Sequence, residues 1–171
     1  MTIWLTGLSG SGKTTLATAL SVHADFSVSP VSVLDGDVLR IGLCKDLGFS
    51  MADRRENIRR AAEAAKLLND AGVTVFCALI SPAQADRDLA RQIVGHQYFV
   101  EVHVAAPLEV CEARDTKGLY KKARAGEIQM FTGISALYEL PLAPAITLST
   151  STQTVDESVK QLLQFIRSRR T

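Results

Sequence analysis

The chain has 171 residues, 47 % hydrophobic and 22 % charged, and 19 basic against 18 acidic side chains leave a net charge of +1. That length fits one domain, residues 1–171, with an ordinary core. The charge balance excludes a general nucleic-acid binder, whose basic excess would be large. No apolar run approaches the ~20 residues of a membrane span, and the amino terminus lacks the basic start of a signal peptide. Cys44, Cys77 and Cys111 lie far apart without a C-x-x-C pair, and His23, His96 and His103 are equally scattered. Neither a disulfide framework nor a structural zinc site is expected, and a reducing, cytoplasmic setting is.

In chain order, residues 2–6 read as a first strand, followed by a glycine loop and a helix over Thr14–Leu20. Val31–Leu34 reads as a second strand ending at Asp35. Asp53 and Glu56 have capping-box spacing, and Ile58, Ala61, Ala62, Ala65 and Leu68 then line one helical face. Val73–Ile80 is a third strand, continuously apolar as a doubly buried strand should be. Ser81-Pro82-Ala83-Gln84 reads as a helix start, with Ser81 as N-cap, Pro82 in the first turn and Gln84 closing a capping box. Tyr98–Val104 is a fourth strand, and a short fifth is expected near Ala145–Leu148. From about Arg114 to Phe131 the chain is charged, glycine-punctuated and poorly periodic, which fits a solvated loop, a short surface helix or a lid over phosphates. The final helix starts at Thr154 and Glu157, with Asp156 in its first turn. It ends in Arg167, Arg169 and Arg170, suited to the helix dipole. Strands alternating with helices imply a parallel sheet covered on both faces.

Gly7-Leu8-Ser9-Gly10-Ser11-Gly12-Lys13-Thr14 matches G-x-x-x-x-G-K-[ST] in full, between a strand and a helix. Backbone N–H groups of such a loop face phosphate oxygens, and the following helix adds its positive end. Lys13 reaches the β- and γ-phosphates, and the Thr14 hydroxyl is placed to ligate magnesium. The expected fold is therefore α/β: a P-loop kinase-like three-layer sandwich, with a mostly parallel five-stranded sheet, helices on both faces and a lid at about 114–131. A guanine-reading N-K-x-D is absent from the sequence, and the chain is short for an ATPase machine, so a small-molecule kinase is the natural class.

Position selects the acceptor residues. Asp35-Gly36-Asp37 ends the second strand, at the carboxyl edge of a parallel sheet where ligands sit. A carboxylate there can take a hydroxyl proton or hold a magnesium-bound water; the same three residues are also ordinary turn composition. Arg54 and Asn57 share the helical face of Ile58 and Ala61. They are polar groups in core phase that need partners, unless the first turn leaves them exposed.

Several segments together resemble the adenylylsulfate (APS) kinases. They are residues 7–15, Leu34-Asp35-Gly36-Asp37, Asp46-Leu47-Gly48-Phe49-Ser50, Asp53 to Arg60, Ile80-Ser81-Pro82, Pro107 to Asp115, Lys117 to Arg124, and Phe131-Thr132-Gly133-Ile134. The resemblance runs from about Trp4 to Pro144. It implies transfer of the ATP γ-phosphate to the ribose 3′-hydroxyl of adenosine 5′-phosphosulfate. On that likeness Phe49 and Phe131 stack the acceptor adenine. Arg40, Arg54 and Asn57 hold the phosphosulfate and nucleoside, while Ile80, Ser81, Lys117 and Leu119 are further acceptor contacts. Thr15 and Arg114 join the loop in binding ATP, and Thr14 carries Mg2+. Lys13, Asp35, Asp37 and Ser81 form the catalytic set, Ser81 matching a serine often treated as a phosphoserine intermediate, although direct in-line transfer needs none. Val38 and Leu79 depart from the usual asparagine and phenylalanine, and Ala83-Gln84 replaces an often aromatic or basic pair. A homodimer and a functional partnership with an ATP sulfurylase are the expected associations. The alternatives are a P-loop kinase for another small acceptor, or an inactive nucleotide-binding regulator.

Overall fold

The computed structural model describes residues 1–26 and 30–169. Its elements are β1 (Thr2–Thr6), α1 (Lys13–Ser21), β2 (Val31–Asp35), α2 (Gly36–Ile41), α3 (Met51–Asp70), β3 (Thr74–Ala78), α4 (Gln84–Val94), β4 (Phe99–Ala105), α5 (Leu108–Arg114), α6 (Leu119–Arg124), β5 (Ile146–Ser149) and α7 (Val155–Ser168). One five-stranded sheet has the order β2-β3-β1-β4-β5, and all of its pairings are parallel.

The apolar strands bury both faces because alternate side chains point to opposite sides. Ile3 and Leu5 of β1, Phe76 of β3 and Val100, Val102 and Val104 of β4 face α1 and α7, packing on Leu16, Leu20, Leu162 and Ile166. Trp4, Val75, Cys77 and Phe99 face the other way, against Ile58, Ala61, Ala62 and Ala65 of α3 and Ala90 and Val94 of α4. The alanines remove bulk where α3 lies on the sheet. Cys44, Cys77 and Cys111 are all free and buried. Among the described residues no helix is long and apolar enough to cross a membrane.

Two cap assignments read from sequence are corrected. The helix containing Asp53 begins at Met51, and its N-cap is Ser50, whose hydroxyl accepts from the Asp53 N–H at 3.1 Å and donates to the Asp53 carboxylate at 2.7 Å. Glu56 is instead taken by Arg59 and Arg60, at 2.7 and 2.9 Å. The chain offers two capping patterns three residues apart, and the earlier one starts the helix. Ser81, likewise, caps nothing: α4 begins at Gln84 after Ala83, with no side-chain cap from its own segment. The Gln84 N–H is satisfied from a distance by the Glu139 carboxylate, at 2.6 Å. The capping box of Thr154 and Glu157 is present as expected. Arg167 pairs with Asp25 at 2.7 Å, while Arg170 lies outside the described residues.

The stretch from Arg114 to Phe131 is folded rather than a plain solvated loop. Tyr120 and Phe131 are buried with Cys111 and Ala123 in a third apolar cluster that Leu8 and Leu108 adjoin. The Asp115 carboxylate caps α6, accepting from the N–H groups of Tyr120 and Lys121 at 3.1 and 3.0 Å.

Because Ser50 holds the first turn of α3, Ser50→Ala should cost about 1 kcal/mol. The measurement is the urea midpoint of unfolding. An unchanged midpoint would take the cap role from Ser50.

Candidate functional site

The loop between β1 and α1 is shaped by contacts that allow no side chain. A Cβ on Gly7 would lie 2.4 Å from the Val104 carbonyl oxygen, and one on Gly10, at φ 75°, would lie 2.9 Å from that of Cys111. Lys13 turns back into this loop. Its Nζ donates to the carbonyls of Gly7 and Leu8 at 3.0 and 2.6 Å. Burial pushes its ammonium from 10.5 down to about 8, partly opposed by the carboxylates of Asp35 and Asp37. A cation already stripped of water gains strongly from an arriving anion.

The Thr14 hydroxyl donates to Asp35 Oδ2 at 2.6 Å, and Asp35 Oδ1 accepts the Asp37 N–H at 2.9 Å as N-cap of α2. Both oxygens of a nearly buried carboxylate are thus fixed beside the hydroxyl the motif assigns to magnesium. A threonine hydroxyl and one carboxylate suit a hard cation that keeps waters and takes its other oxygens from phosphates. Asp37 is exposed and pairs with Lys117, which reaches across from the 114–131 segment.

Residues on the facing wall come from α2, α3 and the same segment. Arg54 donates to the Phe49 carbonyl at 2.9 Å, to the Met130 carbonyl at 2.6 Å and to the Thr132 hydroxyl at 2.8 Å. It therefore ties the backbone at Phe49 to the residues flanking Phe131. Burial, and then the neighbouring Arg40 cation, push the Arg54 guanidinium below its ordinary value. Arg40 lies 4.3 Å over the Phe49 ring and donates to the Gly48 carbonyl at 2.8 Å. Phe131 is buried, edge-on to Tyr120, while Phe49 is exposed. Asn57 is buried, and its Oδ1 has no hydrogen-bond partner among the described residues. The core-phase reading therefore holds for Asn57, whereas Arg54 is only partly buried in the first turn of α3.

These groups line one cleft of about 1160 Å³, more than the ~300–1000 Å³ usual for one small ligand. Ser9, Gly10, Gly12, Lys13, Thr14, Thr15 and Arg114 border it on one side. Asp35, Asp37, Arg40, Phe49, Arg54, Asn57, Ile80, Ser81, Lys117, Leu119 and Phe131 border it on the other. Gly7, Leu8 and Ser11 stand behind the loop instead: Ser11 is fully buried, and Leu8 borders a second, smaller cavity with His103 and Tyr138. Ser81 is 2 % exposed, and its hydroxyl accepts from the Trp4 indole at 3.0 Å.

Sequence reasoning missed two supports of the loop, Thr150 and Tyr120, and the bracing contact of a residue it had named, Arg114. Thr150 donates to the Ser11 carbonyl at 2.7 Å. The Tyr120 hydroxyl donates to the Ser9 carbonyl at 2.9 Å. Arg114 donates to the carbonyls of Gly10 and Thr150 at 3.2 and 2.6 Å, so it braces the loop as well as bordering the cleft. Thr150 follows β5 at the carboxyl edge, and that position was the available signal.

A family model described as adenylylsulphate kinase matches residues 1–149. The chain belongs to the adenylylsulphate kinase family. It is 55 % identical over 166 residues to an adenylyl-sulfate kinase of Shewanella amazonensis, covering 97 % of this chain and 84 % of that protein. It is 50 % identical to the one of Pseudomonas aeruginosa, covering 97 % and 85 %. The Mycobacterium tuberculosis APS kinase in complex with AMPPNP and APS superposes with a TM-score of 0.91 at 45 % identity, covering 97 % of this chain and 96 % of that one. The family expected from the sequence motifs and the P-loop kinase fold are both confirmed.

The position of Lys13 sets a pH dependence for nucleotide binding. Below its free-state value of about 8 the ammonium is already charged and affinity is flat. Above it, binding must first take up a proton, so affinity falls about tenfold per pH unit until the value in the complex is reached. Over the same range the free protein gains stability, because it sheds this proton before the unfolded chain does. Calorimetry in buffers of different ionisation enthalpy should show proton uptake at about pH 9. Zero uptake there would mean that the ammonium is not depressed.

Proposed function

We propose that this chain transfers the γ-phosphate of ATP to the ribose 3′-hydroxyl of adenosine 5′-phosphosulfate. The observation that carries the reading is one cleft with a phosphate loop on one wall and, on the other, two phenylalanines held apart by Arg54. Lys13 and the N–H groups of the loop bind the triphosphate. Thr14, with Asp35 behind it, would hold a Mg2+ ion, which would supply positive charge to offset that of the phosphates.

Asp35 has both oxygens engaged, whereas Asp37 is exposed with one exchangeable ion pair. Asp35 accordingly orients Thr14, and Asp37 accepts the proton of the attacking hydroxyl. The acceptor adenine stacks between Phe49 and Phe131. Arg40, Arg54 and the orphan Asn57 Oδ1 take its phosphosulfate and nucleoside, and residues 114–131, with Lys117 and Leu119, close over both nucleotides. Ser81 serves as wall rather than nucleophile, because its hydroxyl is committed to Trp4. A cytoplasmic homodimer supplied with its sulfated nucleotide by an ATP sulfurylase completes the reading.

Incubation with ATP, Mg2+ and adenosine 5′-phosphosulfate should give the 3′-phosphorylated product. Folded protein that binds ATP and makes none would refute the assignment. Lys13→Ala and Asp35→Ala should each lose turnover by about a hundredfold or more while remaining folded, and near-normal turnover in both would refute this site.

Two further variants separate contact from chemistry. Phe49→Ala should raise the KM for the sulfated nucleotide about tenfold, the worth of one base stack, and leave that for ATP alone. Ser81→Ala should keep its rate within about tenfold, since it loses one buried hydrogen bond; a loss like that of Lys13→Ala would make Ser81 a chemical participant.

A further inference from the structure

Ser81 is the strained point of the acceptor wall. Its φ of 47° is left-handed for a residue that carries a Cβ, a conformation that persists only where neighbours over-determine it. Trp4 holds its hydroxyl at 3.0 Å. Arg87 Nη1 donates to its carbonyl at 2.7 Å. The Thr6 hydroxyl lies 3.4 Å from that same carbonyl and 2.7 Å from that of Ile80.

Arg87 does not line the cleft itself and is fully buried on α4. Its guanidinium also donates to the Pro82 carbonyl at 3.2 Å, to the Gln84 amide oxygen at 2.7 Å and to the Glu139 carbonyl at 2.8 Å. Glu101 of β4, equally buried, supplies the counter-charge 2.9 Å from Arg87 Nε, off the line of a hydrogen bond, and also pairs with Arg91. The Tyr138 ring lies 5.8 Å from the guanidinium, and its hydroxyl is 2.9 Å from Thr6 Oγ1.

A buried charge pair is a costly way to fill space that apolar side chains would fill as well. What the planar fork adds is fixed geometry for several carbonyls at once. Those of Ser81 and Pro82 belong to the wall, and the wall joins the phosphate loop, because the Gly7 N–H donates to the Ile80 carbonyl at 3.4 Å. Thr6 and Gly7 on one side and Ile80 to Pro82 on the other therefore form a single hydrogen-bonded joint, with Arg87 gripping its acceptor side. The loop itself has independent supports in Thr150, Tyr120 and Arg114.

We propose that Arg87, neutralised by Glu101, is a positioning residue that sets the acceptor nucleotide against the γ-phosphate by fixing Ile80 to Pro82 relative to Thr6 and Gly7. The proposal rests on the kinase reading above. Loosening this grip displaces the acceptor and leaves the donor in place.

The test is Arg87→Lys, which keeps the charge for Glu101 and removes the fork. The KM for adenosine 5′-phosphosulfate should rise about tenfold, the worth of one hydrogen bond to a charged group, and kcat should fall with it. The KM for ATP should stay within about twofold. Thr6→Val releases the shared Ser81 carbonyl, and that of Ile80, from the other side without touching a charge, and it decides the matter if Arg87→Lys does not fold. It should give the same split, and the two changes together should combine less than multiplicatively. An unchanged acceptor KM, or both KM values rising in parallel with a lowered melting point, would leave Arg87 a structural residue only. The wild-type protein, assayed alongside, separates the two claims. Failure of the wild type to turn over the sulfated nucleotide removes the kinase reading, whereas normal turnover with no split in the variants removes only the role of Arg87.

Discussion

Everything in the cleft is referenced to the turn that follows Thr6. Gly7 runs so close to the Val104 carbonyl that the loop is locked against β4, and α1 behind it is anchored in the core through Leu16, Ala17 and Leu20. Lys13 then closes the loop on itself through the Gly7 and Leu8 carbonyls. The result is a rigid phosphate cradle with a dehydrated ammonium inside. Its loss of solvation is a standing cost in the free protein, and a polyphosphate relieves it. Binding and preorganisation are therefore one property of the turn, since the contacts that hold the loop are those that desolvate the cation.

The opposite wall is built on another plan. No glycine loop shapes it; long side chains from α2 and α3 reach across to the 114–131 segment. Arg54 spans the gap from Phe49 to Met130 and Thr132, so one guanidinium links the backbone at Phe49 to the residues flanking Phe131. Arg40 rests on the Phe49 ring. Such a wall adjusts more readily than the cradle, which suits the side of the site that has to recognise a base, a ribose and a sulfated phosphate together.

The cradle was legible in the sequence because its chemistry is local: eight consecutive residues between a strand and a helix. The central strands β1 and β3 were legible because both of their faces are buried and largely apolar. The caps of α3 and α4 were not, since local patterns compete and a distant residue can win. Ser50 precedes the Asp53 pattern by one turn, and Glu139 supplies the cap that Ser81 was expected to give. The core of the 114–131 segment was hidden for a related reason. Tyr120, Ala123 and Phe131 are spaced irregularly among charges, and they form a cluster only once Leu8 and Leu108 are brought alongside. Arg87 was invisible as anything but a helix cation, because all of its partners except Gln84 lie on other elements or in the turns around them.

A net charge of +1 is compatible with a site for two polyanions because the cations are partnered unequally. Away from the cleft they meet carboxylates: Arg59 with Glu56, Arg60 with Asp46, Arg124 with Glu112, Arg167 with Asp25. Inside it, Lys13, Arg40, Arg54 and Arg114 donate to carbonyls and hydroxyls, so their charge is held in place without being cancelled. That arrangement focuses positive potential on one crevice of a nearly neutral protein. Lys117 is the exception, paired with Asp37 across the cleft mouth. Both partners are exposed, and an exposed pair is worth little, so incoming phosphates can take Lys117 at small cost. In the reaction proposed above, that exchange would free the Asp37 carboxylate for the attacking hydroxyl as Lys117 turns to the nucleotide.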